Sequence, residues 1–204
     1  ANADYMAKNL KQFGWEYVVI DIQWSDPDAG KRNDEWIQYI PFSQFCLDEY
    51  SRQIPAPNRF PSSEGGKGLK PLADYIHSLG LKFGIHIMRG IPRYACHNHL
   101  PIKTHDGAEI TADMIANPYS VSKWNPDMYG VDANRPYAQD YWDSVFELYA
   151  EWGVDFVKVD DICNTNMYPS NPYSAEKEVE MISRAIEASG RSMVLSLSPG
   201  PAVI

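Results

Sequence analysis

Trp152-Gly153-Val154-Asp155-Phe156-Val157-Lys158-Val159-Asp160 is the stretch on which the reading of this chain turns. A bulky residue and a glycine close the segment before it, and a short β-branched and aromatic run follows, ending on a carboxylate. Such a glycine suits a left-handed helix C-cap, and the run has strand length. The same unit occurs three more times: Phe13-Gly14-Trp15-Glu16-Tyr17-Val18-Val19-Ile20-Asp21, Leu79-Gly80-Leu81-Lys82-Phe83-Gly84-Ile85-His86-Ile87, and Ser189-Gly190-Arg191-Ser192-Met193-Val194-Leu195-Ser196-Leu197-Ser198.

Working outward, each run is preceded by a helical pattern. Apolar residues recur at helical spacing in 3–12 (Tyr5, Met6, Leu10), in 69–78 with Pro71 placed for a first turn, in 137–151 (Tyr141, Val145, Leu148, Tyr149) and in 174–188 (Val179, Ile182, Ile186). Helices alternating with strands predict right-handed crossovers and a parallel sheet, hence an α/β fold. The helix-to-strand links take one or two residues, whereas 24–67 and 88–136 are long and rich in Pro, Gly, Asn and aromatics. Long connections that all follow strand C-termini are the pattern of a (β/α)8 barrel, whose site is built there. A doubly wound sheet places ligands at the same end, but no Gly-rich phosphate fingerprint follows any strand.

Composition narrows the function. The 204 residues are 44% hydrophobic and 22% charged, ordinary for one globular domain. Eighteen Lys and Arg against 27 Asp and Glu leave a net charge of −9, which argues against nucleic acid or an anionic membrane as partner. No window approaches the roughly 18 uninterrupted apolar residues of a membrane span, and Ala1-Asn2-Ala3-Asp4 has no signal-peptide pattern. Three cysteines are too few for a disulfide scaffold, and Cys96-His97-Asn98-His99 crowds its donors too closely for a metal site. Neither a metal nor another cofactor is expected. Thirteen Tyr and six Trp serve core packing or stacking on sugar rings.

The strand ends nominate the chemistry: Asp21, then His86, then Lys158 with Asp160, then Ser196 with Ser198. Residues two apart on a strand share a face, so Lys158 and Asp160 should lie side by side. Burying that pair for packing alone is costly, which points to a site or a compensated bridge. An Asp beside a Lys stays ionised near neutral pH, which suits a carboxylate nucleophile. Asp21 also fits a turn cap, His86 a satisfied core histidine, and Asp161, which should point away from Asp160, a loop-structuring role.

These residues carry a resemblance. Gly14 to Asp21 with Trp24, Arg59-Phe60-Pro61 through His86, and Trp152 to Asp160 resemble three blocks, in order, of glycoside hydrolase family 27, the α-galactosidase and α-N-acetylgalactosaminidase group, in its divergent bacterial form. The resemblance implies a (β/α)8 barrel and a retaining mechanism with Asp160 as nucleophile. It assigns the sugar to Asp21, Trp24, His86, Lys158 and Ser198. It places a second carboxylate, the acid/base about 5 Å from the nucleophile, on a later strand. It also pairs Cys96 with Cys163 in a disulfide.

Ile22, His86 and Leu197-Ser198-Pro199-Gly200 replace a family acid, a family tyrosine and a Cys-Glu-Trp-Pro stretch. The resemblance therefore extends to an α-galactosidase acting on terminal α-linked sugars or to isomalto-dextranase-like hydrolysis of α-glucans. Rival readings are a non-catalytic carbohydrate-binding protein using Trp24, Tyr94 and Trp124, and a Schiff-base aldolase using Lys158. A complete barrel takes about 250 residues, so four units predict that 1–204 are a partial barrel, one catalytic domain without its acid/base. Such a piece should be inactive alone, with an open sheet edge that favours a homo-oligomer. A glycoside or oligosaccharide is the expected partner, and a bacterial member would be periplasmic or secreted.

Overall fold

The computed structural model describes residues 1–30, 42–122, 125–162 and 175–199. Helix α1 (Asn2–Asn9) runs through a 3₁₀ turn (Lys11–Phe13) into β1 (Tyr17–Ile20). Helix α2 (Lys70–Ser78) leads to β2 (Lys82–Met88). A long excursion then carries β3 (Ile91–Pro92), α3 (Arg93–His97), α4 (Ala112–Ile115), β4 (Ala116–Asn117) and β5 (Met128–Val131). Helix α5 (Ala138–Trp152) feeds β6 (Phe156–Asp160), and α6 (Glu176–Ala188) feeds β7 (Val194–Ser198).

The four repeats become four parallel strands in the order β1-β2-β6-β7. Gly14, Gly80, Gly153 and Gly190 all have φ between 69° and 91°, the left-handed conformation that ends each helix and turns the chain into its strand. Pro71 sits in the first turn of α2, where its missing N–H costs nothing. Among the described residues no helix is long and apolar enough to cross a membrane.

One face of the sheet packs on the helices. Phe83, Ile85, Val157 and Val159 are fully buried there, in one cluster with Ala73 and Ile76 of α2, Val145, Phe146 and Tyr149 of α5, and Ile182 and Ala185 of α6. Each such Val, Ile or Phe side chain stabilises the fold by about 1.5–3 kcal/mol. The other face carries Val19, Gly84, Phe156 and Val194 in one row, then His86, Lys158 and Ser196, then Met88, Asp160 and Ser198. A Cβ on Gly84 would meet Val19 and Phe156 side chains at 3.0 Å, so the first row closes over a residue with no side chain.

At the strand N-termini, Asp155 ties three segments together. Its carboxylate accepts from His77 Nε2 at 2.7 Å, from the Phe83 amide at 2.9 Å and from Arg191 Nη2 at 2.6 Å. At the opposite end the excursion after β2 folds into a small antiparallel sheet of order β3-β5-β4, which the sequence does not announce.

Candidate active site

Strand β6 is half-buried at Phe156, Lys158 and Asp160 and buried at Val157 and Val159. That alternation sends the two valines into the core and presents the two charged residues together. Lys158 Nζ lies 3.5 Å from Asp160 Oδ2. Register adds a third group, because His86 pairs with Lys158 across β2 and β6 and its Nε2 reaches Asp160 Oδ2 at 3.1 Å. The backbone amide of Asp161 donates to Asp160 Oδ1 at 2.8 Å.

Burial pushes the Asp160 carboxyl up, but the His86 contact, the Asp161 amide and the charges of His86 and Lys158 outweigh it and hold the group below the ordinary carboxylate range. The result is an ionised carboxylate with 15% of its side chain exposed. A carboxylate offers about four acceptor positions, and hydrogen bonds from His86 and the Asp161 amide occupy one on each oxygen, with Lys158 nearby as an ion pair, so each oxygen keeps a lone pair.

The remaining predicted residues fall as follows. Asp21 is exposed one position beyond the last β1 pair, Ile20 with Ile85, and Ser198 stands beside Asp160 across β6 and β7. Trp24 differs from expectation. It is 2% exposed, its indole N–H donates to the His86 carbonyl at 2.7 Å, and its ring meets Trp152 edge-on at 6.1 Å. An indole so engaged braces the His86 backbone from beneath the site and offers no face to a sugar. A cavity of about 20 Å³, lined by Ile22, Trp24, Phe45, His86 and Met88, lies beside it. Phe45, Met88 and Met128 form a separate apolar cluster there, with Ile22 and Leu47 packed against it.

Cys96 is a buried free thiol, pushed up to about 12 by burial and then by the Asp113 charge, and its expected partner Cys163 lies outside the described residues, as does Trp124. His97 stacks between Phe42 and Tyr129, and His99 pairs with Asp113, so neighbours in sequence diverge in space. Asp161 lies just past β6 in the left-handed conformation, 1% exposed and paired with Arg89, a residue that sequence reasoning missed. Two surface grooves, of about 390 and 680 Å³, are lined by no residue of the strand C-termini.

Known proteins are similar to this chain. No family model matches the chain. In a solved structure of a variant of a GH27 β-L-arabinopyranosidase from Geobacillus stearothermophilus, in complex with arabinose, 57% of residues are identical at a TM-score of 0.87 over 100% of this chain and 44% of that one. A protein named "Probable alpha-galactosidase" from Dictyostelium discoideum is 31% identical over 192 residues, 94% of this chain and 32% of its own. The α-N-acetylgalactosaminidase of Gallus gallus is 28% identical over 197 residues, 96% of this chain and 32% of its own. The chain thus spans about a third of the length of these curated relatives.

Proposed function

Because the chain belongs to glycoside hydrolase family 27, we propose that it carries the nucleophile and part of the sugar-binding wall of a retaining glycosidase. The observation that carries this reading is the ionised Asp160 carboxylate, held by His86 and Lys158 at the C-terminal edge of a parallel sheet. One Asp160 oxygen attacks the anomeric carbon while the bond from that carbon to the leaving oxygen breaks. The leaving oxygen takes a proton from a second carboxylate, which we place outside these 204 residues. Water, deprotonated by that same carboxylate, then releases the sugar from Asp160 with a second inversion. Lys158 bonds to ring hydroxyls, with Asp21 and Ser198 at the rim. The sheet is read as about half of a (β/α)8 barrel.

The substrate we assign is a terminal sugar of α-D-galactopyranoside or β-L-arabinopyranoside configuration. These two share ring stereochemistry and differ by the hydroxymethyl group on C5. Ile22, Phe45, Met88 and Met128 form an apolar cluster on the Met88 side of Asp160, where the hydroxyl of a hydroxymethyl group is poorly accommodated. The sugar without hydroxymethyl is therefore favoured, in keeping with the solved arabinopyranosidase.

Assays of the full-length protein on aryl β-L-arabinopyranoside, α-galactoside and α-glucoside test the assignment. The expected order of kcat/KM is as written, and Asp160→Ala should abolish turnover while the protein stays folded. Turnover surviving in Asp160→Ala, or no activity on any of the three, would overturn it.

A further inference from the structure

Behind Asp160 stands a buried pair. Arg89, just past β2, and Asp161, just past β6, are 2% and 1% exposed. Arg89 Nη2 lies 3.1 Å from Asp161 Oδ2, and Arg89 Nε donates to the Asp161 carbonyl at 2.6 Å. The Arg89 backbone amide donates to the Asp160 carbonyl at 3.1 Å. One residue thus grips two successive carbonyls.

That grip needs a particular backbone. In an extended chain successive carbonyls point to opposite sides, whereas in a helical conformation of either hand they point the same way. Asp161 has φ of 60°, left-handed, which brings both carbonyls round to Arg89. Aspartate tolerates this conformation better than most residues. Within one trans peptide the N–H lies opposite the C=O. Holding the Asp160 carbonyl therefore turns the Asp161 amide the other way, and that amide is the donor to Asp160 Oδ1.

We propose that Arg89 and Asp161 are positioning residues for the reaction: their ion pair and the Arg89 Nε bond to the Asp161 carbonyl hold Asp161 in its left-handed turn, so that its amide keeps the Asp160 carboxylate in line for attack. Stability alone does not explain the pair, since apolar residues of similar volume usually replace a buried ion pair without loss. The proposal rests on the reading of Asp160 as nucleophile. The same amide helps keep the Asp160 carboxyl low, alongside His86 from β2 and Lys158 from β6, with the uncharged Met88 and Ser198 flanking it.

The test uses the full-length protein carrying Arg89→Met together with Asp161→Asn, which removes both charges of the pair at once. The folded double variant should lose kcat/KM by about 10²-fold, mostly in kcat, the scale of a small misplacement of a reacting group. It should also be labelled more slowly at Asp160 by a 2-deoxy-2-fluoro glycosyl fluoride. The acid limb of its kcat/KM profile should move to higher pH, because Asp160 must be ionised and has lost a donor. A structural role would leave that limb in place, so a folded double variant with parental rate and limb overturns the proposal. Where the double variant does not fold, Arg89→Lys, which keeps the charge but lacks Nε, decides by the same limb. Labelling of a carboxylate other than Asp160 in the parent would instead remove the nucleophile reading itself.

Discussion

Asp155 and Asp160 sit at opposite ends of one strand segment, and substituting the first should cost stability without touching chemistry. In Asp155→Ala the Phe83 amide loses its 2.9 Å acceptor, and the contacts with His77 at 2.7 Å and Arg191 at 2.6 Å disappear. His77 and Arg191 are each one-third exposed, so their contacts contribute about 1 kcal/mol apiece, and the stranded amide adds about as much. Arg191 keeps its bonds to the Val154 and Gly153 carbonyls, which limits the damage. The total is about 3 kcal/mol, lowering the thermal midpoint of the full-length protein by on the order of 5 °C.

The pH dependence has a definite sign. Burial pushes the Asp155 carboxyl up, but the Phe83 amide, His77 and Arg191 outweigh it and hold it below its ordinary value of 3.8. A depressed carboxylate contributes stability above its unfolded value, and that contribution is lost as pH falls through the folded one. The gap between parent and Asp155→Asn, followed by urea denaturation, should therefore be full at pH 6 and shrink below about pH 4. A parental midpoint in Asp155→Ala, or a fall in kcat/KM of the folded variant, would refute this division between the two ends of the sheet.

Two further outcomes follow from neighbouring residues. Trp24→Phe keeps a ring against Trp152 but strands the His86 carbonyl, so it should cost about 1–2 kcal/mol in urea denaturation and reduce kcat/KM. With its thiol near 12, Cys96 should resist iodoacetamide at pH 8 in the folded protein. After unfolding without reductant it should react readily, and labelling that requires a reductant would instead reveal the expected bridge to Cys163.

The repeat was legible because its signals are local: a glycine forced to positive φ, a strand-length run, an apolar stripe. Lys158 and Asp160 were legible for the same reason, since strand alternation alone puts them on one face. What stayed hidden depends on distant partners. Strands β3 and β4 have two residues each and exist only through pairing with β5, so no period marks them. Arg89 meets Asp161 across 72 positions, and nothing near Arg89 in sequence distinguishes it from a loop cation. Trp24 misleads because an aromatic in a sugar-binding motif suggests stacking, whereas a carbonyl 62 positions away captures its indole N–H.

Strands β1 and β7 are the outer members of the four-stranded sheet. The groups described that hold the Asp160 carboxylate come from β2, β6 and the turn after β6, so its orientation is settled inside the sheet. The place of its proton-donating partner would then be settled by how further strands dock on those outer members. A slip of two residues there moves a side chain by roughly 6.6 Å along the strand. That exceeds the difference between carboxylate spacings of about 5.5 Å and about 6.5–9.5 Å, which separate retention from inversion at the anomeric centre. The stereochemical outcome of hydrolysis would thus be encoded in the alignment of two strand margins, at a distance from the atoms that react.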